Sequence, residues 1–185
     1  MNKPSPIDPS AGPVSEELLD RLAEVAVKVG LNLQPGQDLV LTAPVAALPL
    51  VRRIAARAYA AGAGVVTPIL SDEGVTLARF QHGQDASFDR APDWLYRGMA
   101  AAYEGNAARL AVSGDNPMLL AEQDPAKVAR ANRANSAAYK PALEKISNFD
   151  INWNIVSYPN PSWARLVFPD LPEDAAVARL ADAIF

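Results

Sequence analysis

Four short apolar segments, each separated from the next by at least one stretch of helical periodicity, constrain this chain more than any other feature. They are Leu39-Val40-Leu41-Thr42-Ala43, Val65-Val66-Thr67-Pro68-Ile69-Leu70, Arg109-Leu110-Ala111-Val112-Ser113 and Trp153-Asn154-Ile155-Val156-Ser157-Tyr158. Runs of this length with little polar alternation suit strands covered on both faces. Strands joined through helices of ten or more residues pair in parallel, because a hairpin has no room for the intervening helix. The expected fold is therefore α/β: a doubly wound, mostly parallel sheet with helices on both faces, Rossmann-like in plan.

Local signals set the helix limits. Ser15 stands at an N-cap, with Glu16 and Glu17 in the first turn, where the helix dipole favours acids. Leu18, Leu22, Val25 and Val29 continue the period, and Gly30 offers a left-handed stop, so the first helix is expected over Ser15 to Val29. Pro4, Pro6, Pro9 and Pro13 mark residues 1–14 as a loose tail, leaving residues 15–185 as the folded domain. Leu48 to Tyr59 is helical and closes at Gly62, and Pro68 places its strand near a sheet edge or ends its pairing there. Asp72 and Glu73 open a short helix ending at His82-Gly83; Asp93 to Tyr103 forms another. Asp124-Pro125 starts a long helix to about Tyr139, with Pro141 beginning a further helical turn. Lys127, Arg130 and Arg133 read as its solvated face, and Ser162 as the cap of a short helix from Trp163 to Phe168.

Composition removes several kinds of chemistry. The 185 residues contain no cysteine and one histidine, His82. Disulfides, thiolate zinc sites and cysteine nucleophiles are excluded, and one copy of the chain cannot supply a multi-histidine metal centre. A net charge of −4 with no basic run leaves no footprint for nucleic acid. No apolar run approaches the roughly 18 residues of a membrane span, and the start lacks the plan of a signal peptide. These readings predict a soluble, intracellular protein. Alanine occupies 35 positions, so much of the core is built from small side chains that favour helix and close packing.

In such folds ligands bind beyond the carboxyl ends of the strands, which directs attention to the turns after each one. The turn after the first strand, Thr42-Ala43-Pro44-Val45, has no glycine and so no dinucleotide fingerprint. Gly62 and Gly64 precede a strand and serve helix termination instead. The most polar turn is Ser113-Gly114-Asp115-Asn116-Pro117, where Asp115 could hold a cation or a substrate amine; an Asx-type turn before proline explains the same residues. Asn160-Pro161-Ser162-Trp163 offers an amide, a hydroxyl and a large ring after the fourth strand, against a plain reading of Ser162 as a cap and Trp163 as a packing anchor. The pairs Glu16/Glu17, Asp72/Glu73 and Glu173/Asp174 all sit at helix starts, their ordinary place. His82 likewise suits the cation-favouring end of its helix.

Taken in order, Leu39-Val40-Leu41-Thr42-Ala43-Pro44, Tyr59-Ala60-Ala61-Gly62-Ala63, Ser113-Gly114-Asp115-Asn116-Pro117, Trp153-Asn154-Ile155-Val156 and Pro159-Asn160-Pro161-Ser162-Trp163-Ala164 resemble the N-terminal domain of the M29 family of metallo-aminopeptidases, of the aminopeptidase T and aminopeptidase S type. The resemblance covers residues 15–185. It implies a two-domain, homodimeric, cytoplasmic exopeptidase that binds two divalent metal ions, zinc, cobalt or similar, and removes N-terminal residues from peptide substrates. It also implies that the Glu, His and Asp metal ligands belong to a C-terminal domain, so no catalytic or metal-ligating position is expected in this sequence. On that reading Ser113, Asp115, Asn116, Asn160, Ser162 and Trp163 face the metal domain and wall the substrate cavity. The final Ala181-Asp182-Ala183-Ile184-Phe185, an apolar helical run, fits a domain of a longer chain. A stand-alone Rossmann-like module holding a small ligand over the same turns, and an interaction protein without a ligand, are the rival expectations.

Overall fold

The structure is a computed structural model that describes residues 14–185. Four strands, β1 (Leu39–Pro44), β2 (Val66–Ser71), β3 (Ala108–Ser113) and β4 (Trp153–Ser157), form one parallel sheet in the order β2-β1-β3-β4. The helices are α1 (Glu16–Val25), α2 (Leu48–Ala60), α3 (Glu73–His82), α4 (Asp93–Glu104), α5 (Pro125–Ser147), α6 (Pro161–Val167) and α7 (Glu173–Ile184). The α/β expectation holds, and β2, which carries Pro68, is one of the two edge strands and pairs with β1.

Strand pleating sorts the core onto two faces. Leu39, Leu41 and Ala43 share one face with Ala108, Leu110 and Val112 and pack against Leu19 and Ala23 of α1 and Leu50 and Ile54 of α2. Val40 turns to the opposite face and joins Met99 and Tyr103 of α4 and Ala142 and Ile146 of α5. Leu39, Leu41, Leu50, Ile54 and Leu110 are each wholly buried, so the layer formed with α1 and α2 excludes water along the centre of the sheet.

Several local expectations are refined. Ser15 caps α1 by accepting the Leu18 N–H at 3.3 Å, but the regular helix ends at Val25 and widens into a π-helical turn over Ala26–Gly30. Gly30 does not supply the left-handed stop; that conformation falls on Asn32, with φ +50°. A Cβ on Gly30 would collide with the Asn154 side-chain amide, so this glycine serves the close approach of β4. Of the expected tail, residues 1–13 lie outside the described residues, and Val14 is buried in the core beside α1. α5 runs unbroken through Pro141 to Ser147, a longer helix than its first proline-free stretch suggested.

Of the basic stripe of α5, Arg133 is exposed as expected, whereas Arg130 and Lys127 are engaged. Arg130 donates to both carboxylate oxygens of Asp85 (2.9 and 3.0 Å) and from Nε to Asp89 (2.8 Å), while the Lys127 ammonium stands 5.4 Å from the Phe88 ring centroid. The guanidinium holds both Asp85 and Asp89 below the usual carboxylate range, chiefly through these hydrogen bonds. The stripe thus fastens residues 85–89 onto α5, and Phe88 is buried against Phe80 and Ala131.

At the amino ends of the strands two side-chain amides pair reciprocally. Gln37 Nε2 donates to Asn152 Oδ1 at 2.6 Å, and Asn152 Nδ2 returns a bond to Gln37 Oε1 at 3.1 Å. Gln37 also donates to the Asn106 carbonyl (2.8 Å) and Asn152 to the Leu31 carbonyl (2.9 Å), so one buried network ties together the segments that enter β1, β3 and β4. Replacing Gln37 by alanine leaves the Asn152 amide without its partner, and the expected loss is about 1–3 kcal/mol of unfolding free energy in urea, with an unchanged denaturant slope.

Candidate active-site wall at the strand ends

Because all four strands run parallel, their carboxyl ends lie along one edge. The chain passes from β1 outward to β2 and then returns to β3 on the other side, so the strand order reverses between β1 and β3, where open α/β sheets form their ligand crevice. The turns beyond β1, β2, β3 and β4 line this edge.

Glu73 is the residue that joins them. Its backbone belongs to the first turn of α3, where Asp72 caps the helix by accepting the Val75 N–H at 2.9 Å. Its Oε1 reaches across the crevice and accepts the Asn116 backbone N–H at 2.8 Å and the Asn160 side-chain amide at 3.0 Å. One carboxylate therefore fixes the turn after β3 and the turn after β4 relative to the start of α3. The bonds are charge-assisted, which makes them stronger than neutral ones. The sequence reading placed Glu73 only at a helix start, and the contact that gives it a second function spans more than forty residues of sequence, beyond the reach of any local spacing rule.

Asn160 spends its other amide atom on the chain ahead. Its Oδ1 accepts the backbone N–H groups of Ser162 (2.8 Å) and Trp163 (3.3 Å), so Asn160, not Ser162, is the N-cap of α6, with Pro161 in the first turn. The earlier assignment of the cap to Ser162 is corrected by this geometry: an asparagine directly before proline combines the preferred cap with the preferred first residue. Asn116 forms the expected Asx-type turn, its Oδ1 accepting the Met118 N–H at 2.9 Å. Ser113 and Ser157 share a hydroxyl contact of 3.1 Å, and the Ser113 carbonyl accepts the Tyr158 N–H at 2.8 Å, which zips the ends of β3 and β4 together.

The six residues expected at this edge fall into three neighbouring groups. Ser113, Asp115 and Trp163 line a recess of about 260 Å³ together with Gly114 and Pro117. Asn116 and Ser162 border a second, of about 240 Å³, with Arg165 and Leu166. Asn160 closes a third, of about 180 Å³, against Glu73 and the Pro44-Val45-Ala46 turn. Trp163 also packs against the cluster of Ala164, Ala176, Val177 and Leu180, so it anchors α6 to α7 and lines a recess at once.

Asp115 stands at the exposed rim. The crowded turn strips part of its hydration and raises its pKa, and the nearby Glu73 charge acts in the same direction, against a smaller opposing pull from its own backbone N–H. Among the described residues no group of three or more His, Cys, Asp or Glu is placed to hold a metal ion. Glu73, whose charge acts on Asp115, already has an oxygen engaged by two N–H donors.

Two variants probe this edge. Gly114 has φ +145°, and a Cβ there would run into the Tyr158 carbonyl oxygen, so Gly114→Ala is expected to lower stability by about 2–4 kcal/mol in chemical denaturation. Asp115 has a raised native pKa, so its ionised form penalises the fold above that pKa and the penalty fades as pH falls toward the unfolded value. Asp115→Asn should consequently melt about 1–2 °C higher than the parent at neutral pH, with the gap closing in acid, as read by thermal denaturation across a pH series.

Comparison with known proteins agrees with this architecture. The family model described as thermophilic metalloprotease (M29) matches residues 15–185. Aminopeptidase T of Thermus thermophilus is 50% identical over 167 residues, covering 90% of this chain and 41% of the relative. Aminopeptidase 2 of Geobacillus stearothermophilus is 41% identical over 173 residues, covering 92% and 41%. The solved structure of wild-type AmpT from Thermus thermophilus superposes with a TM-score of 0.88 at 49% identity, covering 91% of this chain and 43% of that one. The chain thus spans about two-fifths of the length of the curated relatives it matches. A family match that runs through every strand and helix described, on a backbone that follows a solved relative, places the chain in the M29 family of metalloproteases.

Proposed function

We propose that this chain is the N-terminal domain of a metal-dependent aminopeptidase, and that its carboxyl edge forms one wall of the cavity in which a peptide's N-terminal residue is held. The observation that carries the reading is the Glu73 carboxylate, which locks the β3 and β4 turns into a rigid polar rim while leaving Asp115 and Trp163 facing a recess. The relatives named aminopeptidase are longer than this chain, and the described residues hold no metal-ligating cluster; both facts support ligands contributed by a further domain. That domain would hold two divalent ions, zinc, cobalt or similar, which polarise the scissile carbonyl and supply a hydroxide when bound.

The work of the residues in this chain is positional. Asp115 presents a carboxyl group at the rim, suited to the α-ammonium of a peptide, and an ammonium placed there would offset the lost hydration that now raises its pKa. Trp163 presents ring surface to an apolar side chain, with its other side fixed by α7. Ser113, Asn116, Asn160 and Ser162 border the neighbouring recesses. The whole enzyme is read as a cytoplasmic homodimer from the family resemblance.

Two measurements test the reading. The 185-residue polypeptide, titrated with zinc or cobalt and assayed on an aminoacyl p-nitroanilide, is expected to show neither stoichiometric tight metal binding nor turnover. Grafted in place of the matching segment of Aminopeptidase T from Thermus thermophilus, it is expected to restore a metal-dependent aminopeptidase, in which Asp115→Asn raises KM several-fold with kcat little changed. Tight metal binding with turnover by the 185 residues alone, or a folded and metal-loaded graft without activity, would overturn the proposal.

A further inference from the structure

A larger cleft of about 500 Å³ lies on the other helical layer, between α4 and α5 and over the carboxyl halves of β1 and β2. Its distinguishing group is Arg109. This arginine is the second residue of an interior strand, in register with Val40, which is buried on the face covered by α4 and α5. Among the described residues no carboxylate lies within 4.0 Å of its guanidinium, its Nε–H is buried and unpaired, and the side chain close to it is the neutral Tyr103 phenol. Arg109 is half-buried, with its Nε–H wholly shielded, and a cation partly withdrawn from water without a counter-charge favours an anion beside it.

The cleft itself offers no substitute anion. None of its lining residues is acidic, and its polar groups are neutral side chains such as Thr42, Ser136 and Tyr139. Tyr96 and Tyr139 form a tilted ring pair, 5.5 Å between centroids, at the same opening. Burial raises the pKa of Tyr96, and that of Tyr103 behind it, so neither phenol ionises near neutral pH to pair with Arg109. A guanidinium with no carboxylate partner, in an aromatic-walled, acid-free cleft of ligand-binding size, has the chemistry of an anion receptor.

We propose that this cleft binds a small organic anion, with its carboxylate or phosphate on Arg109 and its apolar or aromatic body against Tyr96 and Tyr139. A zwitterion is disfavoured, since no acidic group lines the cleft to receive an ammonium. The site is formed by α4, α5 and the sheet of this chain alone, so the inference stands independently of the peptidase reading.

Calorimetric titration of the 185-residue chain with benzoate, phenyl phosphate and neutral benzamide tests it. The expected result is binding of benzoate or phenyl phosphate at least about tenfold tighter than benzamide, with the stronger of the two identifying carboxylate or phosphate as the preferred group. Arg109→Met should weaken the anion by about tenfold or more while leaving benzamide unchanged. Ser136 is exposed on α5 at the cleft's border, so Ser136→Trp obstructs the opening without disturbing the core, and it decides the matter if Arg109→Met does not fold. Equal affinity for benzamide, no anion binding at millimolar concentration, or anion binding untouched in both folded variants overturns the proposal.

Discussion

The parallel pairing of β1 with a neighbour on each side is the constraint from which the rest of the architecture follows. With β2 on one side and β3 on the other, β1 has its backbone groups engaged along both edges, and its side chains are apolar apart from Thr42, which borders the cleft on the α4 and α5 face. Parallel neighbours in turn demand long crossovers, which bring α2 to one face and α4 to the other. The same arrangement collects the ends of all four strands at one edge and splits the chain's path between β1 and β3. The crevice is a consequence of strand order before any side chain is considered.

Two half-buried polar devices then hold the opposite ends of the sheet in different ways. At the amino ends the neutral Gln37–Asn152 pair satisfies itself and two backbone carbonyls, and it lies beneath the sheet where nothing more is asked of it. At the carboxyl ends a charged group does the equivalent work: Glu73 accepts from two turns at once. A carboxylate there has a price in proximity, since its charge helps raise the pKa of Asp115. Arg109 is the contrasting case, a charge set into the sheet face with no such partner among the described residues. Neighbouring parts of one small domain thus show a charge satisfied by donors and a charge left open toward a cleft.

Much of this was legible from residue order. The four strands, the edge position of the strand carrying Pro68, the cap at Asp124 and the turn at Asn116 each rest on contacts within a few residues, where spacing rules apply. What escaped the sequence rests on contacts between distant segments. Gly30 looked like a helix stop because its neighbours end a helical pattern, whereas the packing of Asn154 is what forbids a side chain there. Arg130 looked solvated because helical periodicity places it opposite the apolar stripe, yet Asp85 and Asp89 arrive from a separate segment to cover it. Ser162 seemed the cap because serine caps commonly do, and Asn160 prevails because its amide reaches both N–H groups and Glu73 together.

By itself the sequence determined the layered α/β plan, the parallel sheet and the edge at which polar turns gather, because hydrophobic period and crossover length act locally and leave few topologies open. The tertiary structure alone decided which of those turns touch. Glu73 meets Asn116 and Asn160 only after β2, β3 and β4 have taken their places, and Arg109 becomes an unpaired cation only once α4 and α5 close over the sheet. Spacing along a chain encodes which face a residue occupies, but the partners it finds there are set by how separate elements pack.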